Sequence, residues 1–195
     1  MNDPGQQQKL IRKLQARDTQ AFEQLIEDHQ SRIYNLIFRM IGNHEEAEDL
    51  LQEVFITVFK KIDSFRGESS LSTWIYRIAT NHCINRKKYL TRRKHYSKSS
   101  YGDLSEKEQS ESGGGLAENL PRPDEMAEGK QMEQAIQKAI SSLDDEYRVV
   151  LILRDVQNLS YDEIEQILDV PAGTVKSRLH RARMALKEKL VPYLR

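Results

Sequence analysis

Apolar residues recur at helical spacing through most of this chain, but the spacing vanishes between residues 97 and 128. That stretch holds Ser99-Ser100, the run Ser110 to Gly115 with its three consecutive glycines, and Pro121-Arg122-Pro123. So little apolar surface cannot repay the entropy of ordering the backbone. A structureless loop of this length is uncommon inside a compact domain. The 195 residues therefore divide into an N-terminal unit, 1–96, a flexible acidic linker, 97–128, and a C-terminal unit, 129–195.

Both flanking units read as all-α, each a small helical domain. In the first, Phe22, Leu25, Ile26, His29, Ile33, Ile37 and Met40 form one stripe. Ala47, Leu50, Leu51, Val54, Phe55, Val58, Phe59 and Ile62 form a second, and Leu71, Trp74, Ile75, Ile78, Ala79 and His82 a third. This i, i+3, i+4, i+7 pattern gives each helix a core-facing side. Gly42-Asn43 with Glu46 is a stop followed by an N-cap. Gly67 with Glu68-Ser69-Ser70 breaks the chain before the third stripe. A bundle of three or four helices follows.

In the second unit, Met132, Ala135, Ile136, Ala139, Ile140 and Leu143 open a series of four short helices. Ser142 with Asp145 reads as the cap of the next helix, which carries Tyr147, Val150, Leu151 and Arg154. Ser160-Tyr161-Asp162-Glu163 is a capping box, and Asp169-Val170-Pro171 stops the helix it opens. A last helix from about Ala172 turns Val175, Leu179, Ala182, Leu186 and Leu190 inward.

The single cysteine, Cys83, excludes a disulfide framework. No run approaches the roughly 18 apolar residues of a membrane span, and Met1–Leu10 lacks a signal peptide's apolar core. A cytoplasmic chain without membrane insertion is expected. Five histidines lie scattered, with no His-Glu-x-x-His, no paired cysteines and no phosphate-binding glycine loop. No catalytic residue, metal site or cofactor is expected, and the chain does not read as an enzyme.

Charge is more informative than its sum. Thirty basic residues cancel thirty acidic ones, yet they are segregated. Residues 43–59 carry five acids and no Lys or Arg, while 86–98 carry seven bases and no acid. Residues 99–129 hold eight acids against Lys107 and Arg122, and 172–195 hold seven bases against Glu188. Blocks of like charge report partners more than fold.

Two blocks suggest nucleic acid. The capped helix, the turn through Pro171 and the basic last helix describe a helix-turn-helix, with Thr174, Lys176, Ser177, Arg178 and Arg181 near the start of its second helix. Lys and Arg there can donate to guanine edges in a major groove. In the first unit Phe65, Trp74, Tyr76 and Tyr89 interleave with Arg66, Arg77, Asn81, Asn85 and Arg86. Aromatic side chains beside cations suit unpaired bases. Tyr76 and Asn81 lie off the apolar stripe and are expected to be exposed.

The order of these blocks resembles a known family. Asp49-Leu50-Leu51-Gln52-Glu53-Val54-Phe55, Phe65-Arg66-Gly67-Glu68-Ser69 and Thr73-Trp74-Ile75-Tyr76-Arg77-Ile78-Ala79-Thr80-Asn81 resemble the first domain of the extracytoplasmic-function (ECF) sigma factors of bacterial RNA polymerase. Leu159-Ser160-Tyr161-Asp162-Glu163-Ile164 and Gly173-Thr174-Val175-Lys176-Ser177-Arg178-Leu179-His180-Arg181-Ala182-Arg183 resemble their second.

The resemblance implies a promoter-specificity subunit that binds core RNA polymerase and promoter DNA and promotes melting. Asp49, Gln52 and Glu53 would dock on a basic coiled coil of the largest polymerase subunit. Gly67, Glu68, Ser69 and Ser70, with Trp74, Tyr76, Arg77, Asn81, Asn85 and Arg86, would hold the -10 element and the melted strand. Lys176, Ser177 and Arg181 would read the -35 element, with Thr174 beside them and Arg154, Ser160, Tyr161 and Arg178 near phosphates. The linker would thread toward the catalytic cleft and RNA exit path. An anti-sigma factor holds many relatives inactive and is an expected partner.

Two departures stand out. Glu165 occupies a position where the family usually has a small residue; either the helix crossing is slightly opened, or the carboxylate reaches solvent or pairs with Lys176. Lys176 stands where many relatives have Arg, and it lacks the bidentate fork. Two alternatives remain: a free-standing helix-turn-helix DNA-binding regulator, and a sigma-mimicking adaptor for an anti-sigma factor. The first explains the basic last helix but not the acidic one. The second need not keep basic recognition surfaces.

Overall fold

A computed structural model describes residues 4–100 and 123–191. Most of the stretch read as an acidic linker, 101–122, lies outside the described residues. Helix α1 spans Pro4–Gln15, α2 Thr19–Ile41, α3 His44–Lys61 and α4 Leu71–Ser100, with a single 3₁₀ turn at Ile62–Ser64. The second group holds α5 Pro123–Ser141, α6 Asp145–Leu151, α7 Tyr161–Leu168 and α8 Ala172–Leu190. Among the described residues there is no strand, and the all-α architecture follows the apolar periodicity. Helix α4 extends to Ser100 and α5 begins at Pro123, so each enters the stretch read as aperiodic.

Several stops and starts follow from local chemistry. Asn43 Oδ1 accepts from the Glu46 amide at 2.9 Å and caps α3. Gly42 ends α2 at φ +80°, and its N–H bonds the Phe38 carbonyl at 2.7 Å. A Cβ at Gly42 would stand 3.3 Å from Ser141 Oγ, so the ends of α2 and α5 approach closely there. The Ser160–Glu163 capping box forms with both of its bonds, and Asp169 closes α7 in the left-handed conformation at φ 54°.

The start of α6 differs from expectation. Ser142 does not cap it: its hydroxyl donates to the Ala139 carbonyl at 2.7 Å, on the preceding helix. The corner is held instead by Arg148, buried at 3% exposure. Its guanidinium donates to the carbonyls of Ile140 (2.9 Å), Leu143 (2.6 Å) and Ser141, and to Asp145 Oδ1 at 3.2 Å. These carbonyls end α5, where a helix lacks its own donors. Burial lowers the Arg148 pKa from its ordinary value.

Past Leu151 the backbone widens into a π-turn, Ile152–Val156, in which the Gln157 N–H reaches back to the Ile152 carbonyl. Asn158 follows at φ 57°. Such turns shift the direction of the side chains they carry.

The two groups share one contiguous apolar core, from Leu14 through Ala79 and Cys83 to Ile140, Ile164 and Ala182. Helix α2 packs on α3 and α4, and also on α5 and the π-turn; α4 packs on α7. Gln137 Nε2 donates to the Phe38 and Arg39 carbonyls at 3.5 and 3.3 Å, which provides partners for the end of α2. Arg39 pairs with Glu133 at 3.2 Å, and Lys87 with Asp145. Tyr76, expected to be exposed, is buried to 1% within the shared core, where its hydroxyl donates to Gln157 Oε1 across the two groups at 2.9 Å. Helix α1 was not anticipated; its Leu10, Ile11 and Leu14 pack against the same core.

Candidate nucleic-acid interface

Three surfaces collect the residues that the sequence singles out. The first is the outer face of α3. Asp49, Gln52 and Glu53 fall at i, i+3, i+4 and share one exposed side. Glu45 and Glu48 extend it toward the helix start, where carboxylates are favoured by the macrodipole. Asp49 and Gln52 meet no side-chain partner among the described residues. Glu53 is different: its carboxylate lies 2.5 Å from Arg86, and its other oxygen stands 3.7 Å from His82.

Arg86 bridges Glu53 and Glu46, each at 2.5 Å. Burial alone would lower its pKa, but hydrogen bonds and charge from the two carboxylates outweigh that and raise it. Arg86 is thus turned back onto α3, away from the exposed face of α4. Arg77, Asn81 and Asn85, at i, i+4, i+8, form that face.

The second surface is a cavity of about 540 Å³ between the turn after α3 and the start of α4. Phe65 and Trp74 lie 5.4 Å apart at 56° on its wall. Arg66, Arg77, Glu68 and Ser69 supply charge and hydrogen-bonding groups around them. Gly67 sits at φ +76° with open space about it, a conformation that a β-carbon would strain. Ser70 Oγ accepts from the Thr73 amide at 3.0 Å and starts α4. An aromatic wall flanked by two guanidinium groups can receive a planar, unpaired base with its phosphate. Gln166 of α7 and Asp169 just past its end complete the lining, and nothing local in the sequence announced that.

The third surface is the start of α8 with the turn before it. Thr174, Lys176, Ser177, Arg178 and Arg181 occupy its first three turns. Ser177 Oγ donates to the Thr174 carbonyl at 3.0 Å. Arg178 pairs with Glu146 at 2.7 Å, and Arg181 donates to the Tyr147 hydroxyl at 3.3 Å, a bond that raises its pKa. The Lys176 ammonium stands 5.7 Å over the Tyr161 ring, and the Arg154 guanidinium 5.1 Å over the same ring. Arg154 also donates to the Leu159 carbonyl at 2.7 Å. Ser160 spends its hydroxyl on the capping box with Glu163. Glu165 forms no ion pair with Lys176; the ring of Tyr161 takes that place. Tyr147 escaped the sequence reading, because its relation to Arg181 spans two helices.

Among the described residues no group of three or more His, Cys, Asp or Glu is arranged to hold a metal. None of their helices is long and apolar enough to cross a membrane.

The family description "Sigma-70 region 2" matches residues 25–94, and "Sigma-70, region 4" matches residues 133–186. The ECF RNA polymerase sigma-E factor of Escherichia coli (strain K12) is 36% identical over 195 residues, covering 100% of both chains. The ECF RNA polymerase sigma factor SigW of Bacillus subtilis (strain 168) is 36% identical over 182 residues, 93% of this chain and 95% of that one. Two solved structures share the fold. The sigma factor RpoE in complex with the anti-sigma factor NepR, from Bartonella quintana, superposes with a TM-score of 0.67 at 24% identity, covering 87% of this chain and 96% of that chain. CnrH in complex with the cytosolic domain of CnrY gives a TM-score of 0.66 at 19% identity, covering 94% and 96%.

Proposed function

The chain belongs to the ECF sigma factors, and from that premise we propose how its surfaces divide the work of promoter recognition. As a sigma factor it binds core RNA polymerase and promoter DNA. In our reading residues 1–96 meet the polymerase and the -10 element, 129–195 meet the -35 element, and the acidic segment between them enters the polymerase channel. The chain works beside the polymerase in the cytoplasm as its specificity subunit, with no chemical step assigned to its own side chains.

The observation that carries this reading is the Phe65–Trp74 cavity with Arg66 and Arg77 at its rim. An unpaired base inserted there would stack on aromatic faces, worth about 1–3 kcal/mol. Its neighbours along the strand would run over Arg77, Asn81 and Asn85. Because Gln166 and Asp169 share the cavity, separation of α7 from it would widen the entry for a base. Docking on polymerase would drive that separation by spending binding energy on the open state.

The polymerase contact falls to Asp49, Gln52 and Glu53, of which the first two are unpartnered and suit a basic surface. Arg86 supports this face by holding Glu53, and its contribution to the melted strand is secondary. An anti-sigma factor fits the same chain as a partner: RpoE, which shares the fold, is solved in complex with the anti-sigma factor NepR, and CnrH with the cytosolic domain of CnrY.

Runoff transcription with purified core polymerase tests the reading. Promoter-specific transcripts should depend on the added chain, and Asp49→Lys should weaken core binding at least several-fold without altering the melting temperature. A chain that binds no core polymerase would refute it. A free-standing regulator is disfavoured by the exposed acidic face, which repels phosphate.

A further inference from the structure

Four cations stand in the first twelve residues of α8, and each is held by a side chain from an earlier helix or turn. Arg178 meets the carboxylate of Glu146 at 2.7 Å. Arg183 makes two bonds to Asp155, at 3.0 and 2.5 Å. Arg181 instead donates to the hydroxyl of Tyr147 at 3.3 Å. Lys176 lies 5.7 Å over the ring of Tyr161.

The partners are therefore of two chemical kinds. A carboxylate neutralises the cation it holds, and that cation must break an ion pair before it meets DNA. A tyrosine holds a cation through a hydroxyl lone pair or the negative face of its ring and leaves the positive charge in place. It restricts where a long, flexible side chain can go without cancelling what that side chain offers. Long side chains lose rotamer freedom when they bind, and a side chain already restricted loses less.

We infer that Tyr147 and Tyr161 are positioning residues: they set Arg181 and Lys176 as the base-reading cations, while Arg178 and Arg183 are committed to fastening α8 to α6 and the π-turn. This rests on the reading of α8 as the duplex-reading helix and deepens it. It separates residues that sequence alone groups together, since Lys176, Arg178 and Arg181 look equivalent as letters.

Tyr161 is built for the task. It is the first residue of α7, fixed by the capping box of Ser160 and Glu163, and its body packs against the core. Arg154 shares its ring at 5.1 Å and is itself tied to the Leu159 carbonyl by the course of the π-turn. Two like charges over one ring, with Glu165 unpaired to either, leave this corner short of an anion. A DNA phosphate beside Arg154 would supply it, with Lys176 directed past it to the base edge. The ring thereby gives a lysine, which lacks the fork of arginine, a defined approach.

The test measures base preference across the -35 element by promoter binding of the full chain assembled with core polymerase. Tyr161→Leu should lower discrimination about tenfold at the base pair where Lys176→Ala also lowers it, each good contact being worth that order. The double variant should lose no more than either alone. Tyr161→Phe keeps the ring and should retain the base preference of wild type, whatever the lost hydroxyl does to overall affinity. Tyr147→Phe removes one hydroxyl and should lower discrimination at the base pair lost in Arg181→Ala. Arg178→Ala should leave the pattern of preferred bases unchanged. Full discrimination in Tyr161→Leu and Tyr147→Phe, or additive losses in the double variant, would overturn the inference while leaving the promoter reading intact. Should Tyr161→Leu fail to fold, Tyr147→Phe decides alone. A wild-type assembly with no -35 preference would overturn the inference together with the assignment of α8.

Discussion

Arg148→Met is the substitution whose cost can be worked most directly from the structure. Methionine keeps much of the stem volume and deletes the guanidinium. The Ser141 and Leu143 carbonyls then lose their side-chain donor, the Met40 carbonyl loses a long contact at 3.5 Å, and Ile140 keeps only the Leu143 N–H at 3.1 Å. A buried polar group left unpaired costs about 1–3 kcal/mol, so two orphaned carbonyls cost about 2–6. Relief from burying a cation returns part of that. A net loss of about 3 kcal/mol is expected, a large share of the roughly 5–15 kcal/mol that holds a domain. Arg148→Lys should fall between, because an ammonium cannot reach the carbonyls as a planar fan. Urea denaturation followed by helical circular dichroism measures both. The midpoint should drop with little change in slope, since the same surface is exposed on unfolding. A loss below about 0.5 kcal/mol, in the range of an ordinary surface substitution, would refute the claim that this guanidinium organises the α5–α6 corner.

Burial pushes the Cys83 thiol from its ordinary 9.0 up to about 12, so Cys83 should react with a thiol reagent only as fast as the chain unfolds. Between those values the unfolded thiol ionises and the folded one does not; the associated stability is present below pH 9 and is lost as pH rises toward 12. Cys83→Ala should flatten that part of the alkaline stability profile, and rapid native-state labelling would refute the burial. Arg86→Gln should lower stability by about 1–2 kcal/mol by releasing Glu46 and Glu53, measured by thermal melting. A variant that melts as wild type yet fails to open promoters would return Arg86 to the strand-contacting set.

Helix identity was legible in the sequence because it is written locally. Asn43, the Ser160–Glu163 box and Asp169 act within one turn of themselves, and each acts as its residue type requires. Apolar spacing located α2 through α4, although Ile26 and Phe59 stay exposed at 36% and 46% while Leu36 is buried. What failed was pairing across distance. Tyr76 looks outward on its own helix and is covered by the second helical group, where Gln157, 81 positions away, meets its hydroxyl. Ser142 has the letters of a cap, but its hydroxyl reaches the preceding helix and Arg148 ties that corner together. Arg86 belongs to a basic run, yet carboxylates 40 and 33 positions earlier claim it. The candidate surfaces were legible as charge blocks; which charges remain available on them was not.

That distinction bears on how a chain of zero net charge finds a promoter. Of the four cations early in α8, two are neutralised by carboxylates and two are not. The aromatic cavity for the -10 strand is shared with α7. On the proposed reading α8 would be weak by itself, since phosphate neutralisation drives most non-specific affinity and two of its four early cations are already paired. Selectivity then has to come from using both surfaces at once. On the proposed reading, polymerase would supply the condition by holding the two helical groups at the spacing of the promoter elements, so that the second contact would form at high effective concentration. Adding cations to α8 would strengthen free binding and weaken this dependence. On this reading a net charge of zero, arranged as opposed blocks, should limit DNA binding by the free chain more than by the chain assembled on polymerase.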